Sequence, residues 1–216
     1  VTEMSHIRGH WAEKDIKELF SLEIFRNNSG GAFNPEDYIT RAEFISAVAR
    51  AGRSNVAESA ENTRNVRRPS NNRRRNEEEV VSPFSDLDVD NPYFEDIKDA
   101  FERNIIQANE GDKFYPEEGI TLSEALIIFV KSLGLESLAP NPNAVTAFKD
   151  NDLIPGEARN SVYVAHRIGL IQGDERGYLK PDEKLSKGRS AALINRFINY
   201  MRSDIRKDYR ERFLLY

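Results

Sequence analysis

The feature that most constrains this chain is an internal triplication. Three times, an apolar residue precedes an x-Pro step, and four residues past the proline an apolar residue is followed by a hydroxyl residue. The copies are Phe33, Pro35, Ile39 and Thr40; Phe114, Pro116, Ile120 and Thr121; and Leu179, Pro181, Leu185 and Ser186. Repetition of this kind predicts equivalent units that stack on one another.

A helical segment lies on each side of every proline turn. Apolar residues before each turn recur at spacings of three and four, which predicts a first helix with one apolar face. They are Trp11, Ile16, Leu19 and Phe20; Phe94, Ile97 and Phe101; and Val162, Ala165 and Ile168. We expect each unit to be a helical hairpin. Because a unit of this size cannot bury its stripe alone, the three second helices should pack around a shared core.

The start of each second helix is marked by a cap. Thr40 with Glu43, and Thr121 with Glu124, form the S/T-x-x-E capping box, in which hydroxyl and carboxylate each accept a backbone N–H. Ser186 keeps the hydroxyl in the third copy, but Arg189 replaces the glutamate. The sequence therefore predicts two full capping boxes and one half box.

These motifs resemble the S-layer homology (SLH) domains, which occur in threes. The resemblance covers about residues 4–52 and 82–201, and the first copy carries it best. The matching residues are Gly9, His10, Trp11, Ala12, Gly31 and 39–43 (ITRAE) in copy one; Phe84, Asp86, Phe114, Pro116 and Glu124 in copy two; and Gly169, Gly173, Gly177 and Pro181 in copy three. The family implies a mainly α fold, a pseudo-threefold spindle with a central three-helix bundle.

The repeats divide the chain into five segments. Copies one and two lie further apart than copies two and three, so an insertion separates the first pair. We predict SLH repeat 1 at 1–52, a charged, mobile insertion at 53–82, SLH repeat 2 at 83–138, SLH repeat 3 at 139–201 and an amphipathic tail at 202–216. At 216 residues with 39% hydrophobic content, the three repeats suit one compact unit.

The insertion is the main basic feature of an otherwise acidic chain. Arginines cluster between residues 64 and 75, and Glu77, Glu78 and Glu79 follow at once. One reading is a clamp for polyanions; the favoured reading is a solvated linker whose charge blocks neutralise each other. Nucleic acid is not an expected partner, because no aromatic residues interleave the arginines and the net charge is −5.

Catalytic, metal and cofactor sites have no support in the sequence. Cysteine is absent, three histidines form no ligand pair, and no nucleophile-elbow, phosphate-loop or dinucleotide motif occurs. Asp86, Asp88 and Asp90 place carboxylate groups at every second residue, as calcium-binding loops do, but a polar turn is the favoured interpretation. No apolar run suits a membrane span, and no signal segment opens the sequence given. We expect a noncatalytic protein.

What the SLH resemblance implies is binding of wall-linked polysaccharide, often with a pyruvylated sugar, in grooves between neighbouring repeats. The matching positions are Trp11, Arg41, Gly169, Gly173 and Lys187. A cation suits the ketal carboxylate and an aromatic ring suits a sugar face. For Trp11 the alternative is a core residue, for Gly173 a turn residue and for Lys187 an ordinary surface lysine.

Copy two departs from the family at the binding positions. Leu122 replaces the cation, and Asn104 and Ala108 replace the two loop glycines. Copy one has Glu23 and Asn27 at those loop positions. Because alanine adopts a left-handed backbone only at a cost, we expect another conformation in the second loop. We expect one or two competent grooves, drawn from copies one and three.

We therefore predict noncatalytic attachment of a surface protein to the bacterial cell envelope through wall polysaccharide, at an extracytoplasmic location. The alternative is a structural module whose degenerate repeats mediate assembly with other copies or envelope proteins. The apolar residues of the tail favour it, since a stripe at near-helical spacing can dock a neighbour. They are Ile205, Tyr209, Phe213, Leu214, Leu215 and Tyr216.

Overall fold

The computed structural model describes residues 7–26, 32–61, 81–140 and 144–204, with side chains at 54–61 and 203–204 left undescribed. Over this part of the chain the fold is mainly α, as predicted, with isolated β-bridges and no strand. The helices are α1 (Glu13–Ser21), α2 (Arg41–Glu61), α3 (Phe94–Glu102), α4 (Leu122–Leu133), α5 (Arg159–Arg167) and α6 (Lys187–Asn199). Short 3-10 turns cover Glu136–Leu138, Asn151–Leu153 and Gly156–Ala158, and a π-helical turn covers Tyr200–Asp204.

The three second helices begin at the predicted caps. Thr40 donates its N–H to Glu43 Oε2 at 3.0 Å, and the Glu43 N–H donates to Thr40 Oγ1 at 3.1 Å. Thr121 and Glu124 form the same box at the start of α4. At α6 the Ser186 hydroxyl accepts the Arg189 N–H at 3.2 Å, without a returning carboxylate. The two full boxes and the half box are confirmed.

The helices of one repeat do not pair as hairpins, and that expectation was wrong. The chief helix contacts run between repeats: α3 packs on α2, α5 packs on α4, and α1 packs on α6. The apolar face of each first helix therefore packs on the second helix of the preceding repeat. Because the connection through the proline turn is long, the two helices of one repeat can pack against different neighbours. Helix α1 packs on α6 of the last repeat, so the contacts between repeats form a closed ring.

The core lies where α2, α4 and α6 meet. Phe44 contacts Phe129 with ring centroids 5.3 Å apart, and Phe129 stacks on Phe197 at 4.8 Å. All three rings are buried. Each comes from a different repeat, so this core is shared between the repeats, as the sequence predicted.

The three proline turns are joined by a closed ring of backbone hydrogen bonds. Ile39 N–H donates to the Leu185 carbonyl at 3.0 Å, Leu185 N–H to Ile120 at 2.9 Å, and Ile120 N–H to Ile39 at 3.3 Å. A second cycle joins the first residue of each second helix to the next turn: Arg41 to Glu118, Leu122 to Glu183, and Lys187 to Asp37. This cyclic order is what a threefold arrangement requires; the complete spindle stays a prediction.

The loops after the first helices share one left-handed position in all three repeats. The different conformation predicted for the second loop stays a prediction, because residues 27–31 of the first loop lie outside the described residues. Glu23, Asn104 and Gly169 occupy equivalent positions with positive φ. Gly173 is not left-handed; a Cβ there would lie 3.2 Å from the Phe148 ring, so close packing accounts for the glycine. Ala108 at the equivalent position therefore needs no different backbone.

Asp86 has a structural role that favours the polar-turn reading. Its carboxylate accepts the N–H groups of Phe114 and Tyr115, at 2.7 and 2.9 Å. Asp150 does the same in the next unit, for Leu179 and Lys180. The aspartate thus ties the entrance of the first helix to the proline turn.

Helix α2 extends past residue 52, the predicted end of repeat 1, and the division of the chain into repeats stays a prediction. Helix α2 continues through Glu61, so 53–61 are helical and do not belong to a loop. Arg53 forms an ion pair with Asp96 on α3. Residues 62–80, which hold the arginine cluster, and 205–216, which hold the apolar tail residues, lie outside the described residues. None of the described helices has the length and apolar character needed to cross a membrane.

Gly188 offers a direct test of the closure between repeats 1 and 3. A Cβ at this position would lie 2.9 Å from His10 Cε1 and 3.3 Å from the Pro35 carbonyl. His10 cannot easily yield, because Nε2 contacts Glu36 Oε1 at 2.7 Å and Nδ1 accepts the Ala12 N–H at 3.1 Å. We expect Gly188→Ala to lower the free energy of unfolding by about 1–3 kcal/mol, measured by urea denaturation.

The matched control is Gly156→Ala, because a Cβ at Gly156 would meet nothing within 4 Å and its φ is not left-handed. Equal unfolding midpoints for the two variants would contradict the tight closure at Gly188.

Candidate functional site

Three clefts lie at equivalent positions along the contacts between repeats. Each is lined mainly by the loop and second helix of one repeat, and a residue near the start of the next repeat's first helix completes it. Cleft 1 includes Phe33, Glu43, Arg50, Tyr93 and Lys187; cleft 2 includes Phe114, Glu124, Lys131, Glu157 and Arg41; cleft 3 includes Leu179, Arg189, Arg196, Gly173 and Trp11. The open volumes are about 370, 740 and 850 Å³.

Cleft 1 is the most cationic of the three. Lys187, from repeat 3, reaches across the repeat boundary to place Nζ 3.3 Å from Glu43 Oε1 and 5.6 Å from the centroid of the Phe33 ring. The Lys187 side chain is only 19% exposed. Arg26 and Arg50 add two guanidinium groups to the lining. Burial lowers the pKa of Arg50, although Asp96 at 3.1 Å opposes the shift, and the group remains charged.

Cleft 2 uses the equivalent cation of repeat 1. Arg41 forms an ion pair with Glu124 of repeat 2, and the buried Arg41 Nε has no hydrogen-bond partner. Burial acts to raise the pKa of Glu124, but the Thr121 hydrogen bond and Arg41 together hold it below its ordinary value of 4.5. Lys131 and Glu157 complete a lining in which the charges balance.

Cleft 3 has the opposite arrangement of charge. Leu122 occupies the position equivalent to Arg41 and Lys187, and its side chain is fully buried. Repeat 2 therefore contributes no cation at this position of its boundary with repeat 3. Arg189 stands at the position of Glu43 and Glu124, and it pairs with Glu183 of its own repeat at 2.6 Å. The exposed ring of Trp11 and the ring of Tyr178 line the opening.

The five predicted ligand residues are distributed over different clefts. Lys187 lies in cleft 1, Arg41 in cleft 2, and Trp11 and Gly173 in cleft 3. Gly169 is in none of these linings; its φ of +79° serves the turn that follows α5. Trp11 is 66% exposed, which rules out the alternative of a core residue. The ligand roles of all five stay predictions.

Several lining residues were not predicted from the sequence. Arg50, Lys131 and Arg196 occupy one equivalent position on the second helices and face the three clefts. Each lies nine residues after the first residue of its second helix, which is Arg41, Leu122 or Lys187. Alignment of the three repeats would therefore have identified these residues from the sequence. The pairing of each cation with a glutamate of the next repeat carries no such local signal.

Residues 3–45 and 83–126 match the model of the S-layer homology domain. The predicted resemblance to the S-layer homology domain is confirmed for these two segments. The relatives of the chain include an endoglucanase of Bacillus sp. (strain KSM-635), 25% identical over 86% of this chain and 17% of the enzyme. A cell surface protein of Thermoanaerobacter kivui is 26% identical over 56% of this chain and 16% of that protein. A surface-layer 125 kDa protein of Lysinibacillus sphaericus is 23% identical over 87% of this chain and 14% of that protein.

The chain therefore spans less than a fifth of the length of each of these relatives. The family and the surface proteins among the relatives indicate a location at the cell surface, outside the cytoplasm, and a role in anchoring to the cell envelope.

The ion pair of cleft 2 predicts an acid-sensitive contact between repeats 1 and 2. Because the pKa of Glu124 is lowered in the folded state, its stabilisation is present above the unfolded pKa and is lost as pH falls through the folded pKa. Between about pH 5 and about pH 3, the wild-type thermal midpoint should fall more steeply than that of Glu124→Gln, which keeps an oxygen for the Thr121 N–H.

Glu117→Gln is the matched control, since Glu117 is exposed on the proline turn of the same repeat. That control should follow the wild-type pH profile. Parallel profiles for wild type and Glu124→Gln would contradict the role given to Glu124.

Proposed function

We propose that this chain attaches a longer surface protein to the cell wall by binding a carboxylated, pyruvylated polysaccharide, with cleft 1 as the main site for the carboxylate. The anchoring role is noncatalytic, and any enzymatic activity belongs to segments beyond these repeats. We also propose that residues 139–201 form the third SLH repeat, because they share the aspartate tie with repeat 2 and share the cap hydroxyl and the hydrogen-bond cycle with both other repeats.

The observation that carries this proposal is the placement of Lys187. The ammonium group is largely desolvated, lies on the face of Phe33 and is held between two repeats. A cation in that setting interacts more strongly with an anion than an exposed lysine does, because water screens it less. The cleft also offers guanidinium donors, which suit the two oxygens of a carboxylate.

The aromatic lining fits the rest of a sugar residue. Phe25, Phe33 and Tyr93 lie beside the cations in cleft 1. Ligand sites in proteins combine such apolar walls with a few fixed polar groups that set orientation. A pyruvyl ketal presents a carboxylate and a methyl group side by side, which this mixture accommodates.

Removal of the Lys187 charge should weaken wall binding. We expect Lys187→Ala to reduce co-sedimentation with purified cell walls by about tenfold in affinity, the equivalent of one charge-assisted hydrogen bond. Mild acid treatment that strips the pyruvyl ketal from the walls should reduce wild-type binding equally. Binding is measured by sedimentation over a range of wall concentrations.

Lys14→Ala is the matched control, because Lys14 is exposed on α1, away from the linings of the three clefts. It should bind walls as the wild type does. Arg41→Ala should weaken binding less than Lys187→Ala, since cleft 2 holds as many carboxylates as cations. Full wall binding by Lys187→Ala on untreated walls would overturn the proposal.

A second function, protein assembly, is favoured by one observation. Arg41 and Lys187 already pair with Glu124 and Glu43 of neighbouring repeats, so both cations also hold the repeats together. If that is their only role, Lys187→Ala lowers the thermal midpoint and leaves wall affinity unchanged. Self-association measured by analytical ultracentrifugation, together with that result, would favour assembly.

A further inference from the structure

Asp96 is a buried carboxylate that joins three groups of the neighbouring repeat. It lies on α3 of repeat 2, and its side chain is 11% exposed. Oδ2 accepts a hydrogen bond from the Ser46 hydroxyl and lies 3.1 Å from Arg50 Nη2, and Oδ1 pairs with Arg53. All three partners belong to α2 of repeat 1. A buried carboxylate is costly unless it is paired and hydrogen-bonded, so these contacts fix Asp96 at the boundary between the two repeats.

Arg50 is held at both terminal nitrogens of its guanidinium group. Nη2 pairs with Asp96, and Nη1 donates to the Ile24 carbonyl at 3.3 Å. Because the guanidinium group is planar and rigid, two contacts from different parts of the fold define its orientation. Arg50 is buried and also lines cleft 1, beside Lys187. Cleft 1 therefore contains a cation whose orientation is set by a carboxylate of the next repeat.

The boundary between repeats 3 and 1 has a different arrangement. Asp15 occupies on α1 the position that Asp96 occupies on α3, but its carboxylate accepts a hydrogen bond from Asn195 Nδ2 on α6, at 2.9 Å. Arg196, the residue of cleft 3 equivalent to Arg50, is exposed. Of these two cations, the buried one is the one that pairs with the aspartate of the next repeat.

The same carboxylate compensates for the burial of Arg50. Burial lowers the pKa of Arg50, Asp96 is the main group that opposes this shift, and Arg26 and Arg53 act in the direction of burial. Removal of one partner from a buried ion pair leaves an uncompensated charge, which is strongly unfavourable. Without Asp96, the Arg50 guanidinium group would therefore leave its present orientation for a more hydrated one.

We propose that Asp96 is a positioning residue for cleft 1, which holds Arg50 in the orientation that lets the cleft distinguish a carboxylated ligand from an uncharged one. The inference rests on the proposed function, since it takes the ligand of cleft 1 to be a carboxylated polymer. Asp96 is not part of the cleft lining and acts through Arg50. The selectivity of a cleft formed mainly by repeat 1 therefore depends on the docking of repeat 2.

Two interpretations of Asp96 predict opposite effects of its removal. If only the sum of the charges mattered, loss of a carboxylate near the cleft would strengthen the binding of an anion. If the carboxylate positions Arg50, its loss weakens that binding, because the cation then has to be ordered when the ligand binds.

Asp96→Asn separates these interpretations, because asparagine keeps the size of the side chain and an oxygen for Ser46 but removes the charge. We expect the affinity for purified cell walls to fall about tenfold, and the affinity for walls stripped of pyruvyl groups by mild acid to stay within about twofold of the wild type. Both affinities are measured by co-sedimentation over a range of wall concentrations. A general loss of structure would lower both by the same factor.

The effect should pass through Arg50. In an Arg50→Ala background, Asp96→Asn should cause no further loss of affinity, because residues that act as one unit give non-additive effects. Asp96→Glu keeps the charge and should bind untreated walls within about threefold of the wild type. Asp99→Asn is the matched control, since Asp99 lies on the same helix, pairs with Arg103 and is outside the lining of cleft 1. It should bind untreated walls as the wild type does.

Ser46→Ala tests the same contact without a change of charge. It removes the hydroxyl that donates to Asp96 Oδ2 and leaves both arginines in place. We expect the affinity for untreated walls to fall about threefold and the affinity for stripped walls to stay unchanged. This variant decides the question if Asp96→Asn does not fold, which the thermal midpoint shows.

The two proposals fail in different ways. Wild-type or tighter binding of untreated walls by folded Asp96→Asn, or additive losses in the double variant with Arg50→Ala, overturns the positioning role even when Lys187→Ala loses wall binding. Wild-type binding by Ser46→Ala has the same consequence when Asp96→Asn does not fold. Wall binding that ignores both Lys187→Ala and acid treatment overturns the proposed function itself.

Discussion

The backbone hydrogen-bond ring at the three proline turns is the constraint on which the rest of this structure depends. Ile39, Ile120 and Leu185 each donate to one partner and accept from the other, so no turn is complete without both neighbours. Their side chains are buried, and a buried backbone group without a partner costs free energy comparable to a lost hydrogen bond. The turns therefore form together, and they set where each second helix begins.

The crossing of the first helices follows from this ring. With α2, α4 and α6 starting from a common ring, each second helix presents an outer face to the first helix of the following repeat. Helix α3 packs on α2, α5 packs on α4, and α1 packs on α6. Polar contacts fix the position: Asn195 Nδ2 on α6 donates to Asp15 Oδ1 on α1 at 2.9 Å, and Asp96 on α3 receives Arg50 of α2.

The sequence was sufficient for those parts of the fold that depend on local chemistry. The helix caps and the proline turns follow from residues close together in the chain, such as Thr121 with Glu124. The shared core follows from the threefold repetition of an apolar second helix. Helix pairing did not follow, because an apolar stripe such as Ile16 and Leu19 has the same appearance whether its partner is the next helix or α6. The end of α2 was also missed, since residues 53–61 lack apolar periodicity but continue the helix.

The sequence predicted which residue types line the candidate clefts, but not which of these residues lie in the same cleft. Trp11, Arg41 and Lys187 were identified by resemblance, yet which cleft each enters depends on the direction in which the repeats follow one another around the ring. A cation at the start of a second helix points into the cleft of the following repeat, so Arg41 of repeat 1 lies beside repeat 2. That direction is a property of the closed structure and is not encoded near Arg41.

The difference between cleft 3 and the other two clefts follows from one substitution at each of two repeated positions. A cation at the first helical residue and a glutamate at the third give a pair across the repeat boundary, as with Lys187 and Glu43. In the boundary between repeats 2 and 3 the residues are Leu122 and Arg189, and the pair cannot form. Arg189 pairs with Glu183 of its own repeat, and in the described part of the chain this boundary is joined by backbone hydrogen bonds and by packing of α5 on α4.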